Sequence, residues 1–406
     1  MSDEKRTPEK DTASVGLGHE AASHLGALKP PVYDSTTYVF SSAKEGKDFF
    51  ARVYGDEGAI ADGYIYSRLD SPSLKPAEAR LAFWEGADDA LIFSSGMGAI
   101  STLLLTFLRP GDLVLYSVPG YGGTVALMRR LLTEFGVLTR SFAAGTTETQ
   151  LRELAGDDRM ALIWVETPAN PTNELFDIAL CAEFAHGAGA KAVVDNTFLS
   201  PVWQVPIAHG ADLVVHSATK YLGGHSDILA GAVCGGSEEI AALRRTRYEI
   251  GTTPSPQTGW LLARSLETLR IRVERQTTNA TRIAAFLAGN DRVTAVSHLS
   301  MLEPGDSRLE IYERQCLGPG AMVAFEIDGG ETESFRFLDS LQVIRLATSL
   351  GGTESLASHP WTMSPPSVPD DDKREMGITP GLIRLSVGIE HVDDLIADLD
   401  QALTAI

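Results

Sequence analysis

The chain has 406 residues, of which 44% are hydrophobic and 22% charged, with 34 Lys and Arg against 54 Asp and Glu for a net charge of −20. That length allows a large core in two or three domains, and an acidic surface of this size excludes nucleic acid and anionic membranes as natural partners. The three cysteines (Cys181, Cys234, Cys316) show no CxxC spacing, and the nine histidines no HExxH, so neither a disulfide framework nor a metal site is expected.

The polar N-terminus, "MSDEKRTPEKDTAS", lacks the apolar core of a signal peptide, and no apolar stretch is long enough to span a bilayer. A reducing cytoplasm is the expected compartment. Residues 1 to about 14 read as disordered. The stretch to about 70 holds Pro30 and Pro31 and has no strong periodicity, so it reads as an extended arm.

From about 75 the character changes. "LKPAEARLAFWEG" has helical spacing and ends at a glycine. "DLVLYS" (112–117), "MALIWVE" (160–166), "KAVVDN" (191–196) and "DLVVHS" (212–217) are short apolar runs separated by helical patterns. Alternating helices and doubly apolar strands predict an α/β fold with a mostly parallel sheet covered on both faces. After about 265 come a long amphipathic helix, "TLRIRVERQTTNATRIAAFLAG", the strand candidates "AMVAFEI", "VIRLATS" and "LIRLSVGIE", and a closing helix, "VDDLIADLDQALTAI". These predict a smaller C-terminal α+β domain. The division is 1–70, 71–265 and 266–406.

In parallel sheets ligands bind at the carboxyl ends of the strands. Glu166, Asp195 and Asn196, and Ser217 to Lys220, lie at such ends. An acid and a lysine on neighbouring strand ends suit pyridoxal 5'-phosphate. The lysine forms a Schiff base with the aldehyde, and the acid keeps the pyridine nitrogen protonated. A plain salt bridge between strand ends fits that pair too. "FSSGMGAISTLLLTF" (93–107) places Ser95, Gly96 and Met97 where a turn opens an apolar helix, a backbone arrangement that binds phosphate but is common in other roles. Ser217 and Thr219 add hydroxyls beside Lys220. Tyr121, in the glycine-flanked loop after "DLVLYS", offers a ring to stack on the pyridine, or simply packs on the surface.

The chain resembles the Cys/Met-metabolism pyridoxal-phosphate enzymes: cystathionine γ-synthase, cystathionine γ-lyase, methionine γ-lyase and the homoserine sulfhydrylases. The stretches that carry the resemblance are "GYIYSR", "FSSGMGAI", "GYGGT", "ETPANPT", "VVDNTF", "HSATKYLGGHSD", "SLGGTESLASHP" and "IRLSVGIEHVDDL", collinear from about residue 30 to the end. The resemblance implies the aspartate-aminotransferase-like fold (fold type I) and a homotetramer, a dimer of dimers with shared active sites. It implies Lys220 as Schiff-base lysine and proton shuttle, Asp195 as pyridinium partner and Tyr121 as stacking ring. Ser95, Gly96, Met97, Ser217 and Thr219 become phosphate ligands. Tyr66 and Arg68 lie on an arm that crosses to a neighbouring subunit's phosphate. Lys220, Tyr121 and Tyr66 form the catalytic set. Arg384 clamps the substrate's α-carboxylate, with Ser349 and Asn170 close by. Two departures stand out. Ser71-Pro72-Ser73 replaces Asn-Pro-Thr and is expected to loosen the arm's turn, and residues 49–63 look like extra chain that reshapes the entrance to the neighbour's site.

Members of such a family share their first chemical steps, so the reaction is read from the distal pocket. Cystathionine enzymes carry polar groups there, whereas this chain has Ile65, Ala126 and Thr348, none of them charged. An uncharged pocket fits the methylthio group of methionine and predicts an α,γ-eliminating C–S lyase. Gly123, where methionine γ-lyases carry a cysteine, points instead to the cystathionine enzymes. The alternatives are a γ-replacement transferase (cystathionine γ-synthase or O-acylhomoserine sulfhydrylase) and cystathionine γ-lyase. Intact Lys220, Asp195, Tyr121 and Arg384 argue against a non-catalytic scaffold.

Overall fold

The computed structural model describes residues 8–54, 63–363 and 369–406. Residues 1–7 of the segment expected to be disordered, and 55–62 of the extra stretch 49–63, lie outside these.

Seven strands form the larger sheet: β1 (Asp89–Phe93), β2 (Leu113–Ser117), β3 (Leu138–Phe142), β4 (Met160–Glu166), β5 (Lys191–Asp195), β6 (Leu213–His216) and β7 (Gly231–Gly235). Their order is β1-β7-β6-β5-β4-β2-β3. The run β6-β5-β4-β2-β3 is parallel, and β7 alone runs the other way, antiparallel to both β1 and β6. β2 and β6 are buried at every residue, which is why they read as continuous apolar runs rather than alternating ones.

The sequence gives no apolar run for β3, whose "LTRSF" is largely half-buried at the sheet edge, and β7 is a glycine-bounded "GAVCG". The strand expected over "VIRLATS" shrinks to Arg345–Leu346, because the chain turns out into the loop that carries Ser349.

The smaller sheet contains β8 (Val293–Ser297), β9 (Met322–Ile327), β10 (Arg345–Leu346), β11 (Leu356–Ser358) and β12 (Leu382–Ser386) in the order β10-β11-β12-β9-β8. The long helix Leu269–Ala288 joins the two sheets, and helix Val392–Leu403 closes the chain. In the core of this unit Phe325 meets Phe337 edge-on, with ring centroids 5.7 Å apart.

The N-terminal arm is more ordered than its composition suggests. Lys10–Gly16 is helical, against the expected disorder to about residue 14. It packs on helix Lys75–Glu85, where the Trp84 indole donates to the Ser14 hydroxyl at 2.6 Å. A seven-residue helix is too short to show periodicity, and a buried partner stabilises it instead. The serines of Ser71-Pro72-Ser73 are buried, and Ser73 accepts from the Tyr33 backbone at 2.8 Å, so this turn is tied down rather than loosened.

Candidate active site

β4, β5 and β6 end side by side, and their ends carry the chemistry. Lys220 stands four residues beyond β6. Its amine donates to the Ser349 hydroxyl at 2.7 Å. Burial, then the nearby Arg384 charge, lowers its pKa from 10.5 to about 8. A lysine held this way loses its proton, and becomes nucleophilic, at a lower pH than an exposed lysine. Behind it the buried Arg272 donates to the carbonyls of Tyr221 and Ser265 at 2.8 and 2.9 Å. These bonds fix the backbone that carries the lysine.

Asp195 ends β5 in register with Glu166 at the end of β4. Both carboxyls are buried. Asp195 accepts from the Thr197 hydroxyl at 2.6 Å and from its N–H at 3.0 Å, and burial still raises its pKa above the usual carboxylate range. Glu166 is pushed up to about 8 by burial and then by Asp195. An anion in this position gains from a protonated ring nitrogen, the role expected of Asp195.

The phosphate end is built by close approach. Ser95 caps helix Gly96–Phe107 by accepting from the Gly98 N–H at 2.9 Å, which leaves its hydroxyl hydrogen free to donate. Helix geometry leaves the first N–H groups unpaired. A Cβ on Gly96 would stand 3.0 Å from the Ser217 Cβ and Oγ, so only glycine lets this helix start meet Ser217 so tightly. Ser95, Gly96, Met97 and Ser217 thus converge on one small cradle that fits a phosphate. Thr219 is engaged differently: its hydroxyl donates to the Ala230 carbonyl at 3.1 Å and accepts from the Ala230 N–H at 3.0 Å.

The half-exposed Tyr121 opens helix Gly122–Ala126, and its ring lies over Gly123 and near the Met97 sulfur. Across the site, Arg384 leaves β12 and donates to the Asn170 side chain at 2.7 Å and to the Ser349 carbonyl at 2.9 Å. Its Nε is buried with no partner among the described residues. A guanidinium held on one side with a spare donor is suited to a carboxylate.

Lys220, Ser349, Arg384 and Asn170 therefore come together as expected. Tyr66 and Arg68 do not join them within this chain. Tyr66 pairs with Thr37 at a strand-like bridge and is exposed, while Arg68 donates to the Tyr248 carbonyl and lies 5.8 Å from the Tyr66 ring. Sequence reasoning gave no role to Thr197, Arg272 or Glu166. Glu166 stood out only as a strand end, and its partners are backbone groups that no motif encodes.

Residues 11–404 match the family model described as Cys/Met metabolism PLP-dependent enzyme. The chain is 40% identical over 410 residues to L-methionine gamma-lyase of Pseudomonas putida, covering 100% of both. It is 41% identical over 347 residues to cystathionine gamma-lyase of Mus musculus, covering 85% of this chain and 86% of that protein. The crystal structure of cystathionine gamma synthase from Xanthomonas oryzae pv. oryzae in complex with aminoacrylate and cysteine has a TM-score of 0.90 at 34% identity, covering 98% of this chain and 99% of that one. The cradle, the buried acid and the depressed lysine fit the cofactor named in the family's description, and the chain belongs to the Cys/Met-metabolism pyridoxal-phosphate-dependent enzymes.

Proposed function

We propose that this C–S lyase removes the γ substituent of L-methionine, or of a related γ-substituted amino acid. With one water, methionine would give 2-oxobutanoate, ammonia and methanethiol. The observation that carries the substrate reading is the absence of charge at Ile65, Ala126 and Thr348. A charged far end such as that of cystathionine, buried without a partner, would cost several kcal/mol, to an order of magnitude.

Bound pyridoxal phosphate supplies the electron sink that acidifies the substrate's Cα and Cβ hydrogens. Asp195 holds the charge on the ring nitrogen, and Tyr121 covers the ring face. Arg384, braced by Asn170 and Ser349, binds the α-carboxylate and so fixes Cα beside Lys220. Lys220, beside Cα, would take the Cα proton. Tyr66, brought by a neighbouring subunit, serves as acid or base near the departing sulfur. Thr219 stands on the same strand end as Lys220, with its hydroxyl bonded to the Ala230 backbone.

A γ-replacement transferase is the second reading, favoured by Gly123. Product analysis with L-methionine, L-cystathionine and O-acetylhomoserine, with and without added thiol, separates the two. 2-Oxobutanoate from methionine supports elimination. A thioether formed only from O-acetylhomoserine and thiol makes the protein a transferase.

The same proposal includes a homotetramer, built as a dimer of dimers, because Tyr66 and Arg68 stand outside their own chain's site. The three buried, unpaired cysteines support a reducing compartment such as the cytoplasm.

A further inference from the structure

We propose that Glu166 is a positioning residue that ties the tyrosine over the cofactor to the arginine that clamps the substrate. Its Oε2 accepts from the Tyr121 backbone N–H at 2.6 Å, and its Oε1 from the Asn170 N–H at 2.9 Å. The first bond holds the loop after β2, whose ring faces the cofactor. The second holds the turn after β4, whose Asn170 side chain accepts from Arg384 at 2.7 Å. Arg384 then reaches the Ser349 carbonyl at 2.9 Å, and the Ser349 hydroxyl receives Lys220 at 2.7 Å. One carboxyl thus joins Tyr121 to a chain of bonds that runs through Asn170, Arg384 and Ser349 to Lys220.

The residue type is hard to explain by stability alone. Glu166 is 5% exposed, forms no ion pair among the described residues, and sits in register with a second buried carboxyl, Asp195. Burial of an unpaired acid beside another acid is unfavourable. A glutamine would remove that penalty. It would also turn an N–H toward one of the two N–H donors, whereas a carboxyl, ionised or not, presents an acceptor lone pair on each oxygen. Retaining the acid keeps both loops attached to one rigid group.

The inference rests on Arg384 as carboxylate clamp and Tyr121 as the cofactor's cover. Its test is the Glu166→Gln holoenzyme, titrated with glycine, which has the α-carboxylate and no γ substituent, and with methylamine, which lacks the carboxylate. The cofactor's visible band follows both. Glycine's dissociation constant should rise about tenfold, the loss of roughly one charge-assisted hydrogen bond, while methylamine's stays within about twofold. Cofactor retention, measured by dialysis, should weaken at least about threefold. A change in glycine binding alone, or in cofactor retention alone, overturns the coupling. So does a lower melting temperature with both constants unmoved. If Glu166→Gln does not fold, Glu166→Asp is one methylene too short for both donors and is read the same way. Failure of the clamp itself takes the proposal with it and is recognised separately: wild-type enzyme would then not prefer glycine to methylamine.

Discussion

The Lys220 amine lies 2.7 Å from the Ser349 hydroxyl, so the lysine proposed to carry the cofactor is held by a loop of the smaller domain. Burial is the larger reason for its pKa of about 8, and Arg384 the smaller. The amine attacks when neutral. Cofactor uptake by the apoenzyme should therefore rise with pH through about 8 and level off well below 10.5, the ordinary lysine value. Arg384→Gln removes the smaller cause and should move that midpoint up without reaching 10.5. A midpoint unchanged by Arg384→Gln would rule out the charge effect. Uptake rates at fixed cofactor concentration across pH give the answer.

Arg384→Lys keeps a positive charge but loses the planar fork. One ammonium cannot hold Asn170 and Ser349 in the present geometry and also meet a carboxylate on two sides. KM for the amino acid should rise about 10- to 100-fold, with kcat falling less than KM rises. Steady-state kinetics with methionine check this, and a loss confined to kcat would contradict the clamp.

Gly123→Cys puts a Cβ 2.6 Å from Tyr121 Cε1 and 3.1 Å from the Met97 sulfur. The ring is half exposed and free to swing, so stability should change by less than about 1 kcal/mol. The ring's place over the cofactor is what changes. A shifted visible band with an unchanged urea midpoint is the expected pair of readings, and an unaltered band would mean the ring never rested there.

Tyr66 and Arg68 reach no other site residue of their own chain among the described residues. If a neighbour's site uses them, Lys220→Ala and Arg68→Ala proteins, each nearly inactive, should regain activity when dissociated, mixed and reassembled. Random pairing makes half the dimers mixed, each with one intact site of two, so recovery should approach about a quarter of wild type. No recovery after demonstrated subunit exchange would mean that Arg68 serves its own chain's site, and full activity of the Arg68→Ala protein alone would place it outside the chemistry.

What could be read from the sequence follows from what the chain encodes locally. β2, β4, β5 and β6 are covered on both faces and show it as apolar runs. β7 hides because glycines bound it, and β3 because it lies at an edge with Thr139, Arg140 and Ser141 half-buried. Lys220 and Asp195 stood out as charges ending apolar strands, and Arg384 as a charge inside one. Glu166 acts through backbone N–H groups 45 and 4 residues away, a relation that side-chain patterns do not carry. Arg272 looked like one more charge on an amphipathic helix until the fold placed it under the Tyr221 carbonyl.

The bonds from Lys220 to Ser349 and from Arg384 to Asn170 cross between the two sheets' domains. The fastening between domains is thus made partly of the atoms proposed to greet the amino acid. Ligand occupancy and domain spacing then form one thermodynamic variable: whatever pries the smaller domain away, whether urea, pressure or heat, must also lower affinity, and substrate must slow amide exchange in β12.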